Sequence, residues 1–307
     1  MLTREAMEGV YCLPPTPFDQ NGIFDEQAFR ENVRKLAAAG IHAVVTTGSL
    51  GEFHTISWPD HQRLAKALAE ECKAAGIVSV CGCSGVNTDE AIMKVAAAEK
   101  AGCDAVMNLS PYYLKLTRQE LIKFWHDLAE ACPNIGIVIY NNPQTSQIHD
   151  VETYRGIIDI KTFCGAKEAH YDWSLWCNLH RNFPELGLFT STEPDWYIPT
   201  MKMGERGFFT MTGAGIPHYA VEIYDLCKKG LWDKALKMID RWQEMARDIA
   251  SQPFLQGYGL GGHKAKINAL GYLRCGYMRR PFISVPKQNE EKLAEYLHSK
   301  YADMIRG

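Results

Sequence analysis

The sequence contains no apolar stretch of the roughly 18 residues that a membrane-spanning helix needs. Neither sign of charge dominates it. Lys and Arg number 33 against 36 Asp and Glu, for a net charge of −3 and a pI near 6.4. That balance lacks the electrostatic footprint of a nucleic-acid binder or of a protein drawn to an anionic membrane surface. No internal repeat, low-complexity tract or polar linker interrupts the 307 residues. The first seven residues, Met1 to Met7, lack the apolar centre of a secretory signal, so the expected compartment is the cytoplasm. The ten cysteines are scattered, and Cys81 and Cys83 are the only close pair. A zinc site would want a second ligand pair at suitable spacing, and none is present, so no metal is expected. The cysteines read instead as small buried hydrophobes in a reducing compartment.

What is there is a regular alternation. Short apolar runs occur at Val10–Leu13, Ala43–Thr47, Val78–Cys83, Ala105–Leu109, Gly136–Tyr140, Thr162–Ala166, Leu188–Thr190 and Gly207–Met211. Their length and continuity suit buried parallel strands. Stretches with helical spacing separate them. Phe29–Ala39 carries Phe29, Val33, Leu36 and Ala37 on one face, and Glu90–Ala101 carries Ile92, Val95 and Ala96. Thr117 with Glu120 three residues on forms a capping box, and Gly40, Gly76 and Gly102 stand where helices should stop. Eight strand-like runs with intervening helices predict an α/β fold, a (β/α)8 TIM barrel over residues 1–217. A doubly wound sheet would carry a glycine-rich phosphate loop after its first strand. Here that strand leads into Pro14, Pro15, Thr16, Pro17 and Phe18. Residues 218–307 form a C-terminal helical region, with helices predicted over Tyr219–Lys229, Trp232–Gln252, Lys264–Cys275 and Gln288–Ile305.

In such a barrel the reactive groups belong at the C-terminal ends of the strands. Lys167 ends the sixth apolar run and Tyr140 ends the fifth. A lysine amine and a tyrosine phenol at the ends of consecutive buried strands suggest Schiff-base chemistry, in which the amine attacks a ketone and the phenol shuttles protons. Lys167 must be neutral to attack, and burial in the barrel mouth would lower its affinity for a proton. After the second run, Gly48, Ser49, Leu50, Gly51 and Glu52 make a tight turn whose backbone amides and Ser49 hydroxyl offer donors to a carboxylate.

Four stretches, in this order and spacing, resemble the dihydrodipicolinate synthase/N-acetylneuraminate lyase superfamily. They are Gly48–Glu52, Pro111–Tyr113, Tyr140–Pro143 and Gly165–Glu168. The resemblance covers essentially the whole chain. It implies a class I pyruvate-type aldolase on a barrel with a C-terminal helical region, often a homotetramer, that uses no metal or organic cofactor and holds its substrate covalently. Lys167 is then the Schiff-base lysine and Tyr140 the proton relay. Gly48, Ser49 and the Leu50 backbone bind the carboxylate of a 2-oxo acid. Tyr113 corresponds to a tyrosine that reaches into a neighbouring subunit's site.

Departures from the synthase pattern narrow the reading. Leu50 stands where synthases have a second hydroxyl residue. The stretch Gln144–Gln147 lacks the arginine that would clamp a substrate carboxylate. Three stretches are instead similar to the hydratase-aldolase branch, which acts on benzylidenepyruvates. These are Gly51–Trp58, Tyr140–Pro143 with Asn142 in an active-site position, and Gly257–Lys266 followed by Arg279–Phe282. Glu193 and Asp195 after the seventh run fit as well. Phe53, Tyr112, Tyr113, Trp173 and Trp196 would suit an aromatic aldehyde portion. The expected activity is hydration of an unsaturated 2-oxo acid followed by aldol cleavage to pyruvate and an aldehyde. Aldolases or dehydratases of 2-keto-3-deoxy sugar acids, cyclic imino acid deaminases and a non-catalytic 2-oxo acid sensor remain as alternatives.

Overall fold

A computed structural model describes residues 1–191 and 193–305. The chain alternates β1 (Gly9–Cys12), α1 (Glu26–Ala38), β2 (Ala43–Val45), α2 (Trp58–Ala75), β3 (Val78–Gly82), α3 (Thr88–Ala101), β4 (Ala105–Asn108) and α4 (Arg118–Ala131). It continues with β5 (Gly136–Asn141), α5 (Val151–Arg155), β6 (Phe163–Glu168), α6 (Trp173–Asn182), β7 (Gly187–Thr190), α7 (Tyr197–Lys202), β8 (Gly207–Thr210) and α8 (Pro217–Lys228). Three helices follow: α9 (Trp232–Ala250), α10 (Leu260–Leu270) and α11 (Lys287–Lys300). The strands are parallel and pair in sequence from β1 to β7, while β8 pairs with β1. This is the (β/α)8 barrel that the alternation predicts. α8 lies against β1 and completes the helical ring, and α9 to α11 are appended to it.

The period of two along each strand divides its side chains between two cores. Tyr11, Val45, Val80, Met107, Val138, Phe189 and Phe209 fill the barrel interior. Val10, Val44, Cys81, Val106, Ile137, Leu188 and Phe208 face the helices. Because both faces are covered, the strands carry no polar alternation, which is why they read as continuous apolar runs. The helix caps follow the sequence: Thr117 and Glu120 form the expected capping box at α4, and Gly76 and Gly102 end α2 and α3 in left-handed conformations.

Two C-terminal helices differ from expectation. The one expected over Lys264–Cys275 runs over Leu260–Leu270. Gly271, at φ 79°, terminates it, and its glycine-rich start is imposed by packing. A Cβ on Gly261 would stand 2.2 Å from the Ile283 carbonyl oxygen, an approach only glycine allows. The last helix stops at Lys300 rather than at Ile305.

A buried ion pair ties these appended helices to the barrel. Lys264 Nζ, on α10, lies 2.8 Å from Glu52 Oε1, and both side chains are buried. The same ammonium donates to the Thr16 carbonyl at 2.7 Å, and the Arg279 amide donates to Glu52 Oε2 at 2.9 Å. Lys264→Met is expected to cost about 3–5 kcal/mol, because it strands a buried carboxylate. Combining it with Glu52→Gln should recover much of the loss. Urea unfolding of the two variants measures both, and a double variant no more stable than the single would remove the pair from this role.

β7 and β8 meet at the seam of the barrel, where carboxylates take up backbone amides in and beside the strands at both ends. At the lower end Glu205 accepts from the amides of Leu188 at 2.9 Å and Arg206 at 3.0 Å. Burial outweighs these bonds and pushes the Glu205 pKa up to about 7. A carboxyl whose folded pKa is raised contributes stability that is full below its unfolded value and is lost as pH rises through the folded one. Between pH 8 and pH 5 the wild type should therefore gain about 2.5 kcal/mol relative to Glu205→Gln. Denaturant unfolding of both proteins at the two pH values reads this difference, and a constant difference would contradict it.

Candidate active site

The interior face of β6 carries the site because of a local irregularity in strand pairing. Ile137 of β5 pairs with Phe163 of β6, but the next residue, Val138, pairs with Gly165. Cys164 is the extra residue, a bulge that resets the alternation of β6. From there pairing is one-to-one, so Tyr140 faces Lys167 and Asn141 faces Glu168. β6 thus extends through Lys167 and Glu168, two residues beyond the apolar run.

Lys167 is buried at 1 % exposure, and its Nζ lies 3.9 Å from the Tyr140 ring centroid and 5.9 Å from that of Phe209. Among the described residues no carboxylate pairs with this amine. The Tyr140 phenol is the centre of the polar contacts. Ser49 Oγ lies 3.4 Å from its oxygen, and Asn142 Nδ2 donates to it at 3.1 Å. Gln144 N in turn donates to Asn142 Oδ1 at 3.1 Å, which fixes the amide's orientation. Burial pushes the phenol's pKa up. The adjacent Lys167 charge, with hydrogen bonds from Ser49, Lys167 and Asn142, outweighs burial and holds it below the ordinary tyrosine value. A phenol so placed can give and take a proton beside an amine that has no carboxylate partner among the described residues.

The turn after β2 is held from several sides. Thr47 and Glu52, which bracket it, adopt left-handed conformations at φ 48° and 57°, unusual for residues with a Cβ. Thr47 Oγ1 donates to the Gly82 carbonyl at 2.7 Å, and Thr16 Oγ1 donates to the Gly51 carbonyl at 2.7 Å. Gly48 and Leu50 are buried and Ser49 is half-buried. Among the described residues the amides of Ser49 and Leu50 meet no acceptor, which leaves two donors beside the Ser49 hydroxyl.

The sequence-predicted residues therefore fall into two groups. Lys167, Tyr140, Ser49 and Asn142 come together, with Gly48 and Leu50 in the same turn. Tyr113 does not join them within the protomer, being 87 % exposed. Glu193 is taken up at the upper end of the seam, where it accepts from Thr210 Oγ1 at 2.9 Å and from the amides of Met211 and Thr212. Asp195 accepts from Gln243 of α9. Neither contacts Lys167 or Tyr140 among the described residues.

Three supporting residues carry no clear mark in the sequence. Phe209 flanks the amine from β8. Thr47 braces the turn. Glu168 points outward, where its carboxylate accepts from Tyr154 Oη and from Asn141 Nδ2 at 2.8 Å. His170 Nε2 lies 2.8 Å from the same carboxylate, off the hydrogen-bonding direction. The immediate succession of Glu168 after Lys167 is the one hint the sequence offers. The rim aromatics form two groups: Phe53 with Tyr112 and His54, the last also against Phe282, and Trp173 with Trp176 and Trp196.

Comparison with known proteins agrees with this architecture. The sequence pattern of the dihydrodipicolinate synthetase family matches residues 6–300. A 4-hydroxy-tetrahydrodipicolinate synthase from Methanospirillum hungatei is 30% identical over 301 residues, covering 96% of this chain and 99% of that protein. One from Brucella abortus is 30% identical over 281 residues, covering 91% and 93%. Among solved structures, PhdJ bound to a substrate intermediate superposes with a TM-score of 0.87 at 21% identity, covering 99% of both chains. An N-acetylneuraminate lyase from Mycoplasma synoviae gives 0.84 at 22% identity, covering 96% of this chain and 98% of that one. The chain belongs to the dihydrodipicolinate synthetase family, within the superfamily that also holds the N-acetylneuraminate lyases.

Proposed function

We propose that this lyase is a class I aldolase of 2-oxo acids, and within that class a hydratase-aldolase that releases pyruvate and an aromatic aldehyde. The observation that carries the reading is the Lys167 amine against the Tyr140 ring, with the phenol bonded to Asn142 and next to Ser49. Lys167 Nζ attacks the C2 ketone, and the carbinolamine loses water to give an iminium that withdraws electrons from C3. Tyr140 carries protons to and from the departing oxygen. Water adds across the C3=C4 bond of an unsaturated substrate and leaves a hydroxyl on C4 and a hydrogen on C3. Tyr140 then takes the C4 hydroxyl proton, the C3–C4 bond breaks, and the aldehyde leaves. The remaining enamine is protonated at C3 and hydrolysed to pyruvate and free Lys167. Ser49 Oγ and the open amides of Ser49 and Leu50 hold the substrate carboxylate, and Asn142 orients the phenol.

The rim favours an aromatic over a sugar-derived aldehyde portion, because Phe53, Tyr112, His54 and Phe282 make a continuous aromatic edge. PhdJ, similar in fold, is described with a substrate intermediate bound. The curated relatives at 30% identity are named as synthases. Against a synthase stand the buried side chain of Leu50 and the stretch Gln144–Gln147, which offers no guanidinium for a second carboxylate. Aldolases and dehydratases of 2-keto-3-deoxy acids share the Lys167 and Tyr140 chemistry and form the second reading. We also propose a homotetramer, in which the exposed Tyr113 and Leu114 meet a neighbour and Tyr113 assists proton transfer across the interface.

Pyruvate followed by borohydride should add one pyruvyl group per chain by intact mass, and Lys167→Ala, folded by circular dichroism, should add none. Tyr140→Phe should retain the adduct yet lower turnover about 10²–10⁴-fold, the usual contribution of a proton-transfer group. A folded wild type without adduct would overturn the Schiff-base reading. Release of pyruvate from substituted benzylidenepyruvates, against none from 2-keto-3-deoxy sugar acids, decides between the two substrate classes.

A further inference from the structure

His61 and the pair Cys81 and Cys83 are separated by some twenty residues of sequence, yet the fold brings them into contact. His61 lies on α2, Cys81 within β3 and Cys83 one residue after it. His61 Nε2 is 3.8 Å from Cys81 Sγ and 3.6 Å from Cys83 Sγ, and the three donor atoms all lie within 4.8 Å of one another. All three residues are buried, His61 at 3 % exposure and both cysteines at 0 %. Trp58 stacks on the imidazole at 5.9 Å and limits its rotation. The cluster has no part in the chemistry of Lys167, and a packed core has no need to gather two thiols around an imidazole nitrogen.

Zinc bonds of about 2.3 Å to sulfur and about 2.0–2.1 Å to nitrogen, at tetrahedral angles, set donor separations of about 3.6 Å between N and S and about 3.8 Å between two sulfurs. The observed nitrogen–sulfur distances, 3.6 and 3.8 Å, lie close to the first of these values. We propose that His61, Cys81 and Cys83 bind one zinc-class divalent cation, through Nε2 and two thiolates. Binding releases the two thiol protons, so a 2+ ion and two thiolates leave the buried site neutral, as a dry interior requires. Coordination through Nε2, 3.1 Å from the Gly82 carbonyl, requires the imidazole proton on Nδ1, which has no hydrogen-bond partner among the described residues.

The site stands directly behind the turn at Gly48–Glu52. The Gly82 carbonyl between the two cysteines also accepts from Thr47 Oγ1 at 2.7 Å. A Cβ on Gly82 would come within 2.4 Å of the Thr47 carbonyl oxygen, so β3 and the turn are in van der Waals contact. A cation here clamps α2 to β3 at the point that braces the turn, and stabilises the fold by mass action.

Cobalt(II) is the probe. The untagged full-length protein, refolded with Co²⁺ under reducing conditions, should hold one cobalt per chain by elemental analysis. It should show sulfur-to-cobalt charge-transfer absorption, tetrahedral d–d bands and a raised melting temperature. Cys81→Ser and Cys83→Ser should each weaken cobalt binding at least tenfold, while Cys132→Ser should bind as the wild type does. A folded wild type without cobalt–thiolate absorption overturns the proposal, and so does undiminished binding in both folded serine variants. Should those variants not fold, X-ray absorption of the wild-type cobalt protein decides. Two sulfur scatterers and one imidazole uphold the site, and an oxygen-only shell overturns it.

Discussion

The arrangement of this protein's chemistry depends on one extra residue in one strand. Cys164 bulges β6 against β5, and the register that follows brings Lys167 opposite Tyr140 on the interior face. Side chains alternate with a period of two, so a strand without the bulge would present Ala166 inward and carry Lys167 toward the helices. The outer face enforces the same register. Glu168, which the bulge turns outward, is held by Asn141 and Tyr154, so its carboxylate finds its partners only in this pairing. A carboxylate buried without those donors would be costly, and that cost makes slippage of the Lys167 strand unfavourable. The site and its support are two faces of the same six residues.

The turn after β2 shows a second form of constraint. Its two left-handed residues are each fixed by a partner from a different part of the chain. Thr47 is held by the Gly82 carbonyl on β3, and Glu52 by Lys264 of α10 and by the Arg279 amide from the segment between α10 and α11. Strained backbone persists only where its surroundings over-determine it. Here the outcome is a turn whose central amides are left without internal acceptors, which is what an anion-binding turn needs. The appended helices thus shape a turn at the barrel mouth from outside the barrel.

Much of this was legible in the sequence, for physical reasons that differ by element. The eight strands could be read because both of their faces are buried, which writes each as an unbroken apolar run. That Lys167, Tyr140, Ser49 and Asn142 lie together could be anticipated because strand ends supply a barrel's polar mouth, whereas Tyr113 stands apart from them. α10 was misplaced, since glycines at 259, 261 and 262 argue against a helix start. The close approach of the Ile283 carbonyl overrides that local preference. The bulge left no mark, because Cys164 is as apolar as its neighbours. The contact of His61 with Cys81 and Cys83 was invisible, since it joins a helix to the next strand across a tertiary interface. Spacing rules for metal ligands apply to loops, and this cluster is made by packing.

The seam between β7 and β8 explains why Phe209 can stand beside the amine. Between most neighbouring strands of the barrel, ladder hydrogen bonds fix the spacing. Here Glu205 at one end and Glu193 at the other supply acceptors to strand and turn amides. The interior side of the seam is lined by rings. Tyr11, Phe189 and Phe209 meet edge to face, at centroid distances of 5.3 to 6.1 Å. That aromatic plug closes the barrel beneath Lys167, and Phe209 with the Tyr140 ring gives the amine apolar walls. The iminium proposed for Lys167 spreads its positive charge over carbon and nitrogen between these same two ring faces. The irregular seam, through the plug it admits, works in the same direction as the bulge that placed the lysine.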